Sequence, residues 1–242
     1  MDHLESYQAL YQRACERKGG PARLEAMLGE PLSPEALAQL GDDRILAEFT
    51  RKVFQSGFVW RVVDDKWSGF EAVFFDFDIE KVLLMSDEML EKKAQDPRII
   101  RNFNKVKTVR DNALMMADVA RQHGSFARFL ADWPASDIIG LWAYLKKHGS
   151  RLGGNTGAYA LRMLGKDTFI ISQDVEAYFR ARNVVSGGIN SKRNHQAIQQ
   201  AFNQLQQQSG RSMQALSRII AFSQGDNFMQ PEAVESPASQ VN

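Results

Sequence analysis

Residues 54–60 carry aromatic side chains around a small polar break, a composition that suits the binding of a flat ligand. The aromatic members are Phe54, Phe58 and Trp60, and Trp67 follows one helix further on. Gln55 and Gly57 form part of the break, at a point where a helix would favour longer or apolar side chains. Small residues beside a tryptophan leave room for a planar guest, so we expect a pocket in which an aromatic ligand stacks on Trp60. The alternative is that these aromatic side chains are core, their usual place at helical spacing.

A glycine-rich segment that begins at Arg151 lies between two predicted helices. Gly153 and Gly154 permit a tight turn, and the freed backbone amides, with the start of the next helix, would face an anion. A helix–hairpin–helix of this kind binds a phosphate of the DNA backbone, where Lys146, Lys147 and Arg151 would add positive charge. The alternative is an ordinary turn between helices.

Ser172 and Asp174 stand at the predicted start of a further helix. A carboxylate at this position could stabilise positive charge that develops on a sugar. The alternative is that the two residues cap the helix, since serine and aspartate are favoured at helix starts. The two roles do not exclude each other, and we favour Asp174 as the charge stabiliser.

Helical periodicity dominates the chain, and no alternating strand pattern is found, so we predict an all-α fold. Asp42 is expected to cap a helix, Pro97 to begin the longest helix, which ends at Gly124, and Ser136 to cap a helix that ends at Gly149. Further helices are expected near residues 156–164, 174–182, 191–208 and 212–222. One catalytic domain is expected over residues 1–223, with the hairpin motif near 138–164, and residues 224–242 are predicted to be disordered.

The composition limits the classes of function. Of 242 residues, 44% are hydrophobic, enough to form a core, and 30 basic residues nearly balance 29 acidic ones. This balance argues against a polycation that coats nucleic acid, although it allows a local basic face. The single cysteine, Cys15, excludes an internal disulfide framework, and no histidines stand at metal spacing. We therefore expect no metal and no cofactor, and the absence of a signal peptide or apolar span predicts a cytoplasmic location.

Taken together, these segments resemble DNA-3-methyladenine glycosylase I, a family of the helix-hairpin-helix DNA glycosylase superfamily. The resemblance is strongest over residues 45–113, and looser at the hairpin. The matching residues are Gln55, Gly57 and Trp60, then Phe74, Phe77, Asp78, Lys81 and Val82, and finally Ile99, Ile100, Arg101, Lys105, Asn112 and Ala113. The resemblance implies two small helical lobes around a base-binding cleft.

The same resemblance implies a monofunctional glycosylase of base-excision repair. It would bind double-stranded DNA as a monomer, extrude an alkylated base, 3-methyladenine above all, and hydrolyse its N-glycosidic bond. Trp60 would stack on the base, Asn155 and Thr156 would donate to DNA phosphate, and Tyr159 would sit behind the hairpin. The implied base pocket is formed by Lys52, Phe54, Gln55, Gly57 and Tyr159. No lysine stands at the nucleophile position that bifunctional relatives place beside the hairpin, so no lyase activity is expected.

Two departures from the family pattern bear on the substrate and the fold. Where the family commonly has a pocket glutamate, eight residues before the tryptophan, this chain has Lys52. Either Lys52 points outward towards Glu48, or the substrate differs, and Asp64 or Asp65 could supply the carboxylate. If the pocket does not cleave, the chain is a non-catalytic DNA- or lesion-binding protein. The family's zinc-binding Cys/His pairs are also absent, so we expect apolar packing to tie the ends together.

Overall fold

The computed structural model describes residues 4–225, and every regular element within that range is helical, which confirms the all-α class. The helices are α1 Tyr7–Lys18, α2 Pro21–Leu28, α3 Pro34–Leu37, α4 Asp42–Gln55, α5 Trp60–Asp65, α6 Trp67–Val73, α7 Ile79–Leu83, α8 Asp87–Lys93, α9 Phe103–His123, α10 Phe126–Asp132, α11 Ile138–His148, α12 Asn155–Met163, α13 Gln173–Ala181, α14 Lys192–Ser209 and α15 Met213–Phe222. Short 3-10 turns occupy Phe75–Phe77 and Ala135–Asp137. Of the tail predicted to be disordered, all but the first two residues lie outside the described part.

Two hydrophobic clusters form the core, and each defines a lobe. The first lobe spans residues 37–164, and its largest buried side chains are Phe49, Phe54, Phe70, Phe74, Phe77 and Phe126. The second lobe joins residues 10–28 to residues 169–220, and its largest buried side chains are Phe169, Tyr178, Phe179 and Phe202. Trp142 of α11 packs against both clusters, so α11 links the lobes.

Two helix caps differ from the sequence prediction. Asp42 is the first residue of α4 rather than its cap, and its carboxylate accepts hydrogen bonds at 2.9 Å from the backbone N–H groups of Phe126 and Ala127. It therefore adds to the capping of α10 by Ser125, from a position distant in sequence that only the tertiary fold brings close. The cap of α11 is Asp137, one residue after the predicted Ser136.

The longest helix, α9, begins after Asn102 rather than at Pro97. Asn102 is its cap, because its side chain accepts a hydrogen bond at 3.2 Å from the backbone N–H three residues on. Before it, Asp96 accepts a 2.9 Å hydrogen bond from the backbone N–H of Arg98, which holds that stretch in a turn. The helix ends at Gly124 as predicted, in a left-handed conformation.

The ends of the described chain are held together by packing and by ion pairs. Helices α1, α2 and α15 pack on one another, as the sequence predicts. In addition, Arg211 donates to both carboxylate oxygens of Glu25, at 2.7 and 2.6 Å, and to the Tyr7 hydroxyl at 3.1 Å. Arg182 pairs with Glu5 in the same region. Residues 4–225 contain no cluster of three or more His, Cys, Asp or Glu residues able to hold a metal ion. Nor does any described helix have the length and apolar character to cross a bilayer.

Phe202→Ala should lower the free energy of unfolding by about 3–5 kcal/mol, because it removes a large, fully buried side chain. Its ring lies parallel to that of Phe169, with centroids 4.2 Å apart, so the loss would leave a cavity in the second lobe. Chemical denaturation would measure the change. Met163→Ala, at a position that is 62% exposed, is the control and should change stability by no more than about 0.5 kcal/mol. Equal effects of the two substitutions would contradict the assignment of this core.

Candidate active site

The aromatic corner, residues 55–60, is a sharp exposed bend between α4 and α5. Gly57 adopts a φ of +76°, a left-handed conformation that favours glycine. The bend leaves Trp60 at the start of α5 with 53% of its surface exposed. Phe58 and Val59 beside it are also exposed, at 43% and 70%. An indole held in solvent beside other apolar side chains is a surface that can stack on a flat ligand.

Lys105 of α9 holds this corner through hydrogen bonds to its backbone. Its buried ammonium donates to the backbone carbonyls of Phe54 and Ser56, at 3.1 and 2.6 Å, and lies 4.7 Å from the ring centroid of Phe58. It thereby satisfies carbonyls at the end of α4, where a positive charge also favours the helix dipole. Burial lowers the pKa of Lys105, and the positive charge of Arg151 lowers it further.

Lys52 points inward, beneath Trp60, rather than outward into solvent. It is only 7% exposed, and its Nζ lies 5.0 Å from the ring centroid of Trp60. It donates to Gln55 Oε1 at 2.9 Å and pairs with Glu48 Oε1 at 3.4 Å, one helical turn back on α4. The expectation that Lys52 points outward is therefore wrong: the pairing with Glu48 exists, but it is buried beside the tryptophan.

A carboxylate also lies within this cluster. Burial raises the pKa of Glu48, while the charges of Lys52 and Arg51 oppose that shift. Asp64 accepts a 3.3 Å hydrogen bond from the side-chain amide of Gln55, which places it at the edge of the cluster. Asp65 faces solvent with Arg61 and takes no part. Of the two aspartates considered from the sequence, only Asp64 reaches the corner.

Tyr159 on α12 completes the aromatic group, because α12 packs along α4. Its ring meets that of Trp60 edge to face, with centroids 6.3 Å apart and an interplanar angle of 77°. Phe54, a predicted base-pocket residue, lies instead in the core of the first lobe with no exposed surface, its ring 4.6 Å from that of Phe70. The structure therefore unites Trp60, Lys52, Gln55 and Tyr159, while Phe54 supports them from behind.

The hairpin between α11 and α12 is tied to the same long helix as the corner. Asn112 of α9, fully buried, donates to the carbonyl of Ser150 at 3.1 Å and accepts from its N–H at 2.7 Å. Arg151 then takes a φ of +60°, and Gly154 one of +59°. These two left-handed residues make the tight turn, so the prediction is confirmed for Gly154, whereas Arg151 rather than Gly153 takes the second left-handed position. Arg151 stays exposed on the turn.

The backbone of the hairpin is packed closely against α12. Leu152 is buried in the core of the first lobe, and its carbonyl lies where a side chain on Gly157 would have to go, 2.3 Å from an added Cβ. Asn155 and Thr156 follow at the first turn of α12, where no side chain caps the backbone N–H groups. Such free amides at a helix start attract an anion.

Ser172 and Asp174 lie at the start of α13, in the second lobe. Ser172 is the cap, accepting a 3.3 Å hydrogen bond from the N–H of Val175. The charge of Asp174 acts on Lys18 of α1, where it opposes the lowering of the lysine pKa by burial. The contacts that unite Trp60, Lys52 and Tyr159 do not include Asp174, so its assignment as a charge stabiliser stays a prediction.

Three residues at the site carry roles that sequence reasoning did not assign. Lys105 holds the corner, Asn112 holds the hairpin, and Glu48 supplies a buried carboxylate. The first two belong to the matched family pattern, and their seven-residue spacing puts them on one face of α9 two turns apart. That spacing could have indicated that the two residues act from the same face of α9. Their partners could not be predicted, because they are backbone atoms, which every residue carries.

Comparison with known proteins gives one family match and several similar solved structures. Residues 37–148 match the model of a family described as methyladenine glycosylase, and the match ends with α11, before the hairpin. Among solved structures, a variant of 3-methyladenine DNA glycosylase I in complex with 3-methyladenine is 22% identical, with 57% of this chain and 80% of that chain covered and a TM-score of 0.47. The Staphylococcus aureus enzyme of that name is 21% identical over 63% and 91%, with a TM-score of 0.45. An 8-oxoguanine glycosylase/lyase from Methanocaldococcus jannaschii, in complex with DNA, is 13% identical over 89% and 88%, with a TM-score of 0.46.

Gly157→Ala should distort the hairpin, because the added Cβ would collide with the backbone carbonyl of Leu152. We expect a loss of stability of about 1–3 kcal/mol, typical of overpacking, together with weaker binding to duplex DNA. Gly188→Ala is the matched control, since nothing lies within 4 Å of its added Cβ. Thermal unfolding and fluorescence anisotropy with labelled duplex would measure both effects. Normal DNA affinity in a folded Gly157→Ala variant would remove the hairpin from the binding surface.

Proposed function

We propose that this chain, whose residues 37–148 match the methyladenine glycosylase family, is a monofunctional DNA glycosylase of base-excision repair. It binds double-stranded DNA that carries an alkylated base, 3-methyladenine in the first instance, and hydrolyses the N-glycosidic bond. It acts as a monomer, needs no metal or cofactor, and works in the cytoplasm with the DNA it repairs.

The observation that carries this proposal is the joint support of the corner and the hairpin by one helix. Lys105 and Asn112 of α9 hold Trp60's corner and the Ser150 backbone. A base-stacking surface and a phosphate-binding turn at a fixed separation are what an enzyme needs in order to hold a nucleotide pulled out of a duplex. Arg151, Gly153, Gly154, Asn155 and Thr156 form the proposed phosphate contact.

The proposed reaction demands little acid–base chemistry. A base alkylated at N3 carries a positive charge while it is attached to the sugar and leaves as a neutral molecule, so its departure needs no strong general acid. Catalysis then rests on holding the extruded base against Trp60, beside Gln55 and Tyr159, and on stabilising the positive charge that grows on the sugar. We assign that last role to Asp174, and water completes the hydrolysis.

A second candidate function is a non-catalytic DNA- or lesion-binding protein. The buried Lys52 favours it, because an ammonium beneath the stacking residue repels a cationic base more strongly in a low-dielectric pocket than in water. The paired Glu48 offsets that repulsion. Release of free base from alkylated duplex, followed by chromatography, separates the two: binding without release would establish the second function.

Trp60→Ala should lower the rate of base release about 10- to 100-fold, since stacking of one base on an aromatic ring is worth about 1–3 kcal/mol. The fold should persist, because this side chain is half exposed. Leu84→Ala, at another exposed apolar position that is 82% exposed, serves as the control and should act like the wild type. If both variants release base equally fast, the corner is not the base site.

Asp174→Asn should slow base release in single-turnover assays while leaving the affinity for duplex DNA nearly unchanged, as loss of charge stabilisation requires. Ser172→Ala removes the cap hydrogen bond to Val175 and should mainly cost about 1 kcal/mol of stability. Comparing base release and stability in the two variants distinguishes a catalytic role of Asp174 from a capping role at the start of α13. A variant at Asp174 that cleaves normally but unfolds more easily would leave it only a structural role in α13.

A further inference from the structure

Lys52 offers a free hydrogen-bond donor at the site that the proposed function assigns to the base. An ammonium has three N–H groups and no acceptor. One donates to Gln55 Oε1 at 2.9 Å, and the ammonium also forms an ion pair with Glu48 Oε1 at 3.4 Å, without a hydrogen bond. Its Nζ also lies over the ring of Trp60, 5.0 Å from the centroid, so an N–H that is not used by Gln55 is available beside the indole. A base stacked against that indole would meet this N–H at its edge.

The position of the ammonium is fixed by its surroundings. Lys52 is 7% exposed, and the side-chain amide of Gln55 is itself oriented by a 3.3 Å hydrogen bond to Asp64 Oδ1. Gln55 therefore presents its oxygen, not its nitrogen, to the lysine. Glu48 lies beside the ammonium at 14% exposure, and a negative charge there offsets the positive charge of Lys52. The result is a directional donor rather than a diffuse positive field.

We propose that Lys52 is a specificity-determining residue, and that the pocket prefers a 3-alkylpurine with an oxygen at position 6, such as 3-methylguanine, over 3-methyladenine. The 6-oxopurine edge presents two adjacent acceptors, O6 and N7, whereas the adenine edge presents N7 beside an amino donor. The remaining N–H can be shared between the two acceptors of the first edge, whereas on the second edge it meets an amino donor beside the single acceptor N7. The inference rests on the proposed function only in taking the pocket beside Trp60 as the base site.

The test uses free bases, so that it does not depend on cleavage. Isothermal titration of the full chain with free 3-methylguanine and with free 3-methyladenine should give dissociation constants that differ at least about tenfold in favour of 3-methylguanine. In the double variant Lys52→Met with Glu48→Gln, which leaves no unpaired buried charge, the ratio should fall to about one. Lys81→Met, which removes a lysine that is 62% exposed, is the control and should keep the wild-type ratio.

The outcomes test the role of Lys52 separately from the proposed glycosylase function. Equal affinities of the wild-type protein for the two bases, or a preference that survives the double variant, would overturn the role of Lys52. The same proteins are then assayed for base release from methylated duplex. Selective binding without release would overturn the glycosylase proposal and support the specificity role of Lys52. Release of both bases at equal rates, with equal affinities, would support the glycosylase proposal and overturn the specificity role of Lys52.

Discussion

The buried ammonium of Lys105 is the contact on which the site depends. A charged group so far removed from water is costly unless it is paired, and here two carbonyls at the end of α4 satisfy it. In return the lysine stabilises the point where α4 stops and the chain turns through Gly57. Without that contact, those carbonyls would lie unpaired beneath the corner, and the segment that carries Trp60 would lose one of the contacts that hold it.

One helix then sets the separation of the two halves of the site. Lys105 and Asn112 are seven residues apart on α9, so they lie about 10 Å apart along the helix axis on nearly the same face. The first holds the corner and the second holds the hairpin through Ser150. Because a helix is stiff over two turns, the corner and the hairpin are held at one distance. The matched family segment includes α9 but not the hairpin, so the hairpin depends on a support that lies within the family region.

Local signals in the sequence predicted most of the helices but few of the contacts between them. Glycine and serine positions located helix ends, because capping depends only on neighbouring residues. The prediction that Asp42 caps its own helix is wrong, because its carboxylate accepts hydrogen bonds at the start of α10, more than 80 residues away. At the site, the exposure of Trp60 and the turn at Gly154 were foreseeable from residue types. The inward course of Lys52 and the burial of Phe54 were not, because both depend on how α4 packs against the rest of the first lobe.

The Lys52–Glu48 pair is poorly explained by stability alone. Burying two charges costs several kcal/mol per ion before their attraction is counted, and apolar residues of similar size often serve as well or better. A core position needing only volume on α4 could hold methionine and leucine. The pair instead orients Gln55, leaves one N–H unused, and lies under the half-exposed indole of Trp60. A costly polar pair beneath a half-exposed indole is what the proposed recognition of a base edge would require.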